Sequence, residues 1–251
     1  MTLFPDALGD VLSESILGRA QERGFIHIEA HQIRDYTSNK QNQVDDYPYG
    51  GGRGAIMQAD PLYRCWESVC DEAAGPVHTI YLSPCGHTFT QRDAIRLSKK
   101  ENIIFVCGHY EGIDQRFIDE CVDEELSLGD FVLTGGEIAA MAMTDAICRM
   151  VPGVLADPEC FEDESHFKGL LEYPQYSRPA VWHGREVPQI LLSGNHKLVD
   201  LWRRKQSLRR TKARRPDMYQ KLDLSSKQDK KLLKEMEEED RELSEKRENV
   251  D

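Results

Sequence analysis

Val77-His78-Thr79-Ile80-Tyr81-Leu82, Asn102-Ile103-Ile104-Phe105-Val106-Cys107 and Ser127-Leu128-Gly129-Asp130-Phe131-Val132-Leu133 are short apolar runs rich in β-branched and aromatic residues. Over so short a length that composition predicts strands. Thr90–Lys100 and Ile113–Val122 lie between them with helical spacing, and Glu137–Val151 follows as a helix with small residues throughout. Strands alternating with helices predict an α/β domain with a mainly parallel sheet covered by helices. Working outward, Asp6–Arg23 and Pro61–Ala73 read as helices, Phe25–Ala30 alternates like a strand, and Asp45–Gly54 is a turn-rich glycine loop. The domain is expected to close near Pro152-Gly153, so it spans 1–153. Residues 154–175 mix acidic side chains with short breaks and read as a mobile linker. A small helical unit is expected over 176–224, broken at Ser193-Gly194-Asn195-His196, and 225–251 is a charged tail, helical or disordered.

Composition narrows the class. With 39% hydrophobic and 30% charged residues in 251, the chain reads as an ordinary soluble globular protein. No apolar run approaches the roughly 20 residues of a membrane span, and no charged-then-apolar leader opens the chain. The 7 cysteines are an odd number with no Cys-x-x-Cys pair, which points to reduced thiols in a cytoplasmic protein rather than disulfides or a zinc site. His27 and His31 have the spacing of a helical metal pair, but the alternation around them is that of a strand. No residue is assigned as a metal ligand.

The net charge of -12 argues against a nucleic-acid partner only on average. From Trp202 to Arg215 there are 8 basic residues and no acidic one, whereas the tail from Ser225 carries 7 basic and 10 acidic. A concentrated basic patch binds phosphates despite an acidic whole, because salt screens charges beyond about 8–10 Å.

Three glycine-containing loops follow the predicted strands: Tyr81-Leu82-Ser83-Pro84-Cys85-Gly86, Cys107-Gly108-His109-Tyr110-Glu111-Gly112, and Leu128-Gly129-Asp130-Phe131-Val132-Leu133-Thr134-Gly135-Gly136. Ligands of parallel α/β sheets bind beyond the carboxyl ends of strands, and glycine lets main-chain groups approach them closely. Three such loops in succession predict a composite ligand pocket. Gly50-Gly51-Gly52-Arg53-Gly54-Ala55 fits the loose dinucleotide pattern, but no buried strand precedes it, so it reads as a flexible loop with Arg53 as a phosphate contact.

Asp45-Asp46-Tyr47-Pro48-Tyr49-Gly50-Gly51-Gly52, Tyr81-Leu82-Ser83-Pro84, Cys107-Gly108-His109-Tyr110-Glu111-Gly112-Ile113-Asp114 and Gly129-Asp130-Phe131-Val132-Leu133-Thr134-Gly135-Gly136-Glu137 resemble the bacterial tRNA (guanine-N1)-methyltransferase family. So do Arg178-Pro179, Leu191-Leu192-Ser193-Gly194-Asn195-His196 and Gln206-Ser207-Leu208. The resemblance runs from about Leu3 to Tyr219. It implies a deep trefoil knot at the end of the α/β domain, an exception to the avoidance of threaded chains. It also implies S-adenosylmethionine as methyl donor, held by Tyr81, Leu82, Ser83, Pro84, Gly108, Leu128, Gly129, Asp130, Phe131, Val132, Leu133, Gly135 and Gly136. The family further implies a homodimer with shared active sites, an assisting Mg2+, and methylation of tRNA at N1 of guanosine 37, just 3′ of the anticodon.

Guanine N1 carries a proton and is a poor nucleophile, so the reaction calls for a base and for a cation facing O6. By residue type alone, Arg149 reads as a helix C-terminal cation matched to the dipole. The resemblance makes it the family's functional arginine instead. Counting back from Gly169-Leu170-Leu171, the same resemblance puts Glu164 where aspartate is usual, with Asp163 second. Other departures are Ala139 for a common proline and His109 for a frequent arginine. The family's apolar strand ahead of Leu3-Phe4-Pro5 is nearly absent, which implies a start upstream or a shortened chain and a weaker sheet there. The basic helix is expected to meet the tRNA backbone, and Trp182 and Trp202 to pack the small domain. Two other readings share these features: a knotted ribose 2′-O-methyltransferase, and a non-catalytic RNA-binding protein of the same fold.

Overall fold

α1 (Pro5–Leu12) starts on a proline, whose fixed φ and missing N–H suit a first helical turn. α2 (Ser15–Glu22), the hairpin of β1 (Asp45–Asp46) and β2 (Ile56–Met57), and α3 (Ala59–Glu72) lead into the sheet. There β3 (Val77–Thr88), α4 (Gln91–Leu97), β4 (Asn102–Cys107), α5 (Gln115–Cys121), β5 (Glu124–Ser127) and α6 (Glu137–Cys148) alternate as the hydrophobic pattern requires. β3 is central, parallel to β4 on one side and to β5 on the other. Side chains alternate across the pleat. Ile80, Leu82, Cys107 and Leu126 pack against α4 and α6, while Tyr81, Ile104 and Val106 pack against α3 and α5.

The computed structural model describes residues 1–155, 161 and 164–248. They fall into two units, Met1–Pro158 and Glu159–Asp251, each taken by itself below.

The first unit departs from the sequence reading in four places. Asp6–Arg23, read as one helix, is two, parted at Ser13-Glu14 with Ser15 at φ 54°. β3 does not end at Leu82. Leu82 and His87 both pair with Leu126, so Ser83–Gly86 is an excursion within one long strand. Pro84, which has no N–H to give a ladder, suits such a bulge. The strand expected over Ser127–Leu133 is instead Glu124–Ser127. The Ser127 hydroxyl accepts from the Gly129 N–H at 3.2 Å and donates to Gly129 O at 2.9 Å, which turns the chain out of the sheet.

Phe25–Ala30, expected as a strand, forms none. Alternation makes a strand only where a neighbour supplies hydrogen bonds, and here the neighbour covers just the end. Thr2 N–H donates to His31 O at 3.0 Å and Ile33 N–H to Thr2 O at 2.9 Å. On the other side the Met1 ammonium donates to Phe105 O at 2.9 Å and Cys107 N–H to Met1 O at 3.0 Å. Beyond Met1 a cleft of about 850 Å³ separates Phe25–His31 from β4, lined by Ile26, Ile28, Ile103, Phe105, Ala140 and Ile147. Glu29, His31 and Glu72 also approach one another at this cleft.

The second unit holds the hairpin β6 (Val181–Trp182) and β7 (Arg185–Glu186), α7 (Gln189–Leu192), α8 (His196–Arg214), α9 (Pro216–Tyr219) and α10 (Lys227–Glu248). Part of the stretch read as a mobile linker is fastened down. Leu171 N–H donates to the Thr211 hydroxyl at 2.9 Å, Arg210 to Glu172 O at 2.9 Å, and Glu172 N–H to the Ser165 hydroxyl at 3.0 Å. The charged tail is helical over Lys227–Glu248, and its Leu232 and Met236 pack against Leu170 and Leu208. Trp182 does not pack the small domain: it is 62% exposed, because a hairpin of two-residue strands has no face large enough to bury it. Among the described residues no helix is long and apolar enough to cross a membrane.

Candidate active site

The three loops of the first unit come together through main chain and glycine. Gly136 N–H donates to Gly108 O at 3.1 Å, joining the loop after β4 to the loop after β5. A Cβ on Gly136 would lie 2.7 Å from Cys107 Cα, and one on Gly108 would lie 2.9 Å from the Tyr81 ring. A Cβ on Gly86 would run into the main chain of Glu125 and Leu126. These glycines are therefore present because backbone or ring passes where a side chain would stand. Leu82, Leu128 and Leu133 pack into the core beneath, and Ser83 is buried. Pro84, Asp130, Phe131 and Val132 are exposed, with Val132 at 80%.

Beside this junction stands a buried polar group that the sequence reading passed over. Glu137, only 7% exposed at the start of α6, accepts from the Thr2 hydroxyl at 2.6 Å and meets His109 Nε2 at 2.8 Å. Phe4 lies against the same imidazole, ring centroids 4.9 Å apart. A carboxylate in the first turn of a helix also gains from the helix dipole. Its partners are remote in sequence, so spacing gave no signal; only the oddity of a charge opening an apolar helix marked it.

The loop around Gly50–Gly54 also joins the site. Glu111 N–H donates to Ala55 O at 3.0 Å and Met57 N–H to Gly112 O at 3.0 Å. A Cβ on Gly54 would meet the Glu111 side chain at 2.7 Å. Arg34 Nη2 reaches the Tyr110 hydroxyl at 3.4 Å.

The chemistry of these groups is restricted. Burial, then the Glu125 carboxylate, pushes the Tyr81 phenol up to about 12, so it stays protonated near neutral pH. Burial likewise pushes the Cys107 thiol up to about 12, which rules it out as a thiolate nucleophile. Glu137 is engaged by Thr2 and His109. The loops thus meet through main chain and shape, over a phenol and a thiol that burial keeps neutral.

Arg149 caps the C-terminus of α6, with its N–H donating to Asp145 O at 3.1 Å, and its side chain is half-buried. Glu164 lies in the second unit, half-buried, in a cleft of about 190 Å³ shared with Tyr173, Asp200, Arg203 and Arg204. Arg203 stacks over Tyr173 at 5.0 Å. Asp163 lies outside the described residues.

The family model described as tRNA (Guanine-1)-methyltransferase TrmD matches residues 1–221, so α10 lies beyond it. A tRNA (guanine-N(1)-)-methyltransferase of Clostridium perfringens is 55% identical over 234 residues, 93% of this chain and 97% of the relative. A relative of the same description from Alkaliphilus metalliredigens is 53% identical over 226 residues, 89% of this chain and 92% of the relative. One from Dehalococcoides mccartyi is 47% identical over 236 residues, 94% and 95% of the two chains.

Proposed function

The chain belongs to the tRNA (guanine-1)-methyltransferase family, and from that premise we propose how its residues divide the work of a tRNA (guanine-N1)-methyltransferase. The observation that carries the reading is the glycine junction, where Cys107 main chain and the Tyr81 ring lie so close to Gly136 and Gly108 that neither could carry a Cβ, so the loops after β4 and β5 meet main chain to main chain. Main-chain groups gathered at strand ends in this way suit S-adenosylmethionine, which would supply a methyl group already activated by its sulfonium. Tyr81, Leu82, Ser83, Pro84, Gly108, Leu128, Gly129, Asp130, Phe131, Val132, Leu133, Gly135 and Gly136 are the residues proposed to hold it. Residues 1–153 bind the donor and 176–224 the tRNA.

Glu164, or Asp163 beside it, takes the proton from guanine N1. That leaves a lone pair on N1 able to accept a methyl group, which bound S-adenosylmethionine would supply from its sulfonium. Arg149 faces O6, where negative charge gathers as the proton leaves. In-line alignment of the two reactants supplies most of the remaining acceleration. The target is guanosine 37, the working form is a cytoplasmic homodimer, the α/β domain ends in a trefoil knot, and Mg2+ assists.

The test is transfer of labelled methyl to tRNA carrying guanosine or adenosine at the target position, with nucleoside analysis. 1-Methylguanosine from the first tRNA alone supports the proposal. Ribose 2′-O-methylation, or no transfer, overturns it. Glu164→Gln and Asp163→Asn made separately assign the base, whose loss lowers kcat by roughly 10²–10⁴.

A further inference from the structure

α10 places its acidic residues against the basic face of α8. Asp229, Leu232, Met236 and Glu239–Asp240 recur at helical spacing, so one stripe carries acid, apolar, apolar, acid. Leu232 and Met236 seat this stripe against Leu208, which is fully buried. The flanking acids then meet cations. Arg204 binds Asp229 through two nitrogens at 3.0 and 3.3 Å. Lys205 binds Glu239 at 2.8 Å and reaches Glu235 at 3.6 Å. Arg209 Nη2 binds Glu239 at 2.6 Å and Asp240 at 3.4 Å.

The fit to Arg209 is incomplete. Its Nε is buried and has no acceptor among the described residues, so the carboxylates use only part of the guanidinium fork. A phosphate engages such a fork through two parallel bonds. At Arg209 the carboxylates thus leave part of the fork unused that a phosphate could engage.

We propose that α10 is a resident polyanion lying on the RNA-phosphate-binding face formed by Arg204, Lys205 and Arg209, and that tRNA engages this face by displacing it. The proposal rests on the reading of the chain as a tRNA methyltransferase. α10 lies beyond residues 1–221 matched by the family model, although the relatives, aligned over 234–236 residues, reach into its first turns. Each phosphate gained displaces a carboxylate of the same chain as well as counterions, which weakens binding and flattens its salt dependence.

The experiment compares full-length chains. One variant carries Glu235→Gln, Glu239→Gln and Asp240→Asn, keeping Leu232 and Met236. The control carries Glu237→Gln, Glu238→Gln and Glu242→Gln, the same charge change on exposed positions of α10. Dissociation constants for a tRNA transcript are measured across a salt series, with 1-methylguanosine formation on the same preparations. The first variant is expected to bind on the order of tenfold tighter than the control, with the slope of log K against log salt steeper by about 1–2. Adding Arg209→Gln to it should remove part of the gain. Detachment of α10 in the first variant exposes the same cations and gives the same result. Equal affinities and slopes for variant and control overturn the inference, while absent 1-methylguanosine from the unmodified chain overturns the functional reading instead.

Discussion

Gly136→Ala isolates the main-chain junction. Gly136 has φ −79°, which alanine adopts freely, so the substitution brings no backbone strain and its effect is steric. The new methyl would stand 2.7 Å from Cys107 Cα and 3.2 Å from Gly108 N, about 0.7 Å short of ordinary contact at the first. Both neighbours are main chain at the end of β4, so no flexible side chain can swing away. Relief has to come from parting the two loops, which lengthens the Gly136–Gly108 hydrogen bond, now 3.1 Å. Overpacking of this kind costs about 1–3 kcal/mol. If the loops are parted where they hold the donor, S-adenosylmethionine affinity falls by roughly 5- to 150-fold, at about 1.4 kcal/mol per tenfold. Titration calorimetry with S-adenosylmethionine measures the loss, and thermal unfolding checks that the chain still folds. Gly9→Ala, in α1 with nothing within 4 Å, is the control and should be neutral or stabilising by up to about 1 kcal/mol. Donor affinity within twofold of the unmodified chain for Gly136→Ala would refute the assignment of this junction to the donor site.

Other outcomes follow from other contacts. Glu137→Ala strands the Thr2 hydroxyl and the His109 ring, and should cost about 1–3 kcal/mol, read as a fall in Tm of roughly 2–4 °C per kcal/mol; an unchanged Tm refutes the network. Burial opposes ionisation of Asp229, but hydrogen bonds from Arg204 and Ser226 hold its carboxyl below the usual range, and a hydrogen bond from Lys205 does the same for Glu239. With both folded values depressed, the α10 contacts are fully present above the ordinary carboxylate values near ~4 and are lost as pH falls through the folded ones. The protection factors of the Lys227–Asp240 amides, with the pH dependence of intrinsic exchange divided out, should therefore fall below about pH 4, and no change there sinks the electrostatic account. An added segment of about six alternating Val and Thr residues joined to Met1 would span ~20 Å and should pair between β4 and Phe25–His31, raising Tm, whereas a Gly-Ser segment of equal length should not. Equal Tm values for the two would mean the cleft does not accept a strand.

The parallel arrangement of β3, β4 and β5 was legible because it rests on local apolar runs and the helices between them. That the glycine loops would meet was legible because glycine at a strand end signals close approach of main chain. What escaped depended on partners far away in sequence. Phe25–Ala30 has the right alternation, yet pairing is a property of two segments, and its neighbour reaches only His31 and Ile33. Ser127–Leu133 has strand composition, but one hydroxyl bonding to Gly129 turns it away. The Glu137 cluster unites residues from the beginning and middle of the chain. The basic run of α8 announced a phosphate surface, and nothing in its own residues showed that a charged tail would lie on it. Arg149 and Glu164 owe their proposed roles to family position; burial alone marks neither as chemical.

The excursion Ser83–Gly86 has a mechanical consequence. Both its feet, Leu82 and His87, are clamped to the same residue of β5, Leu126, and Gly86 lies hard against the main chain there. Opening it would require shearing β5 away from the central strand, so it is a fixed wall. The segment after β4 is fastened differently, turning at Tyr110 with φ 59° and Gly112 with φ 119° and held by main-chain hydrogen bonds to Ala55, Met57 and Gly136. A substitution at Leu126 should therefore loosen both feet of the excursion at once, whereas one at the exposed Pro84 should leave them paired.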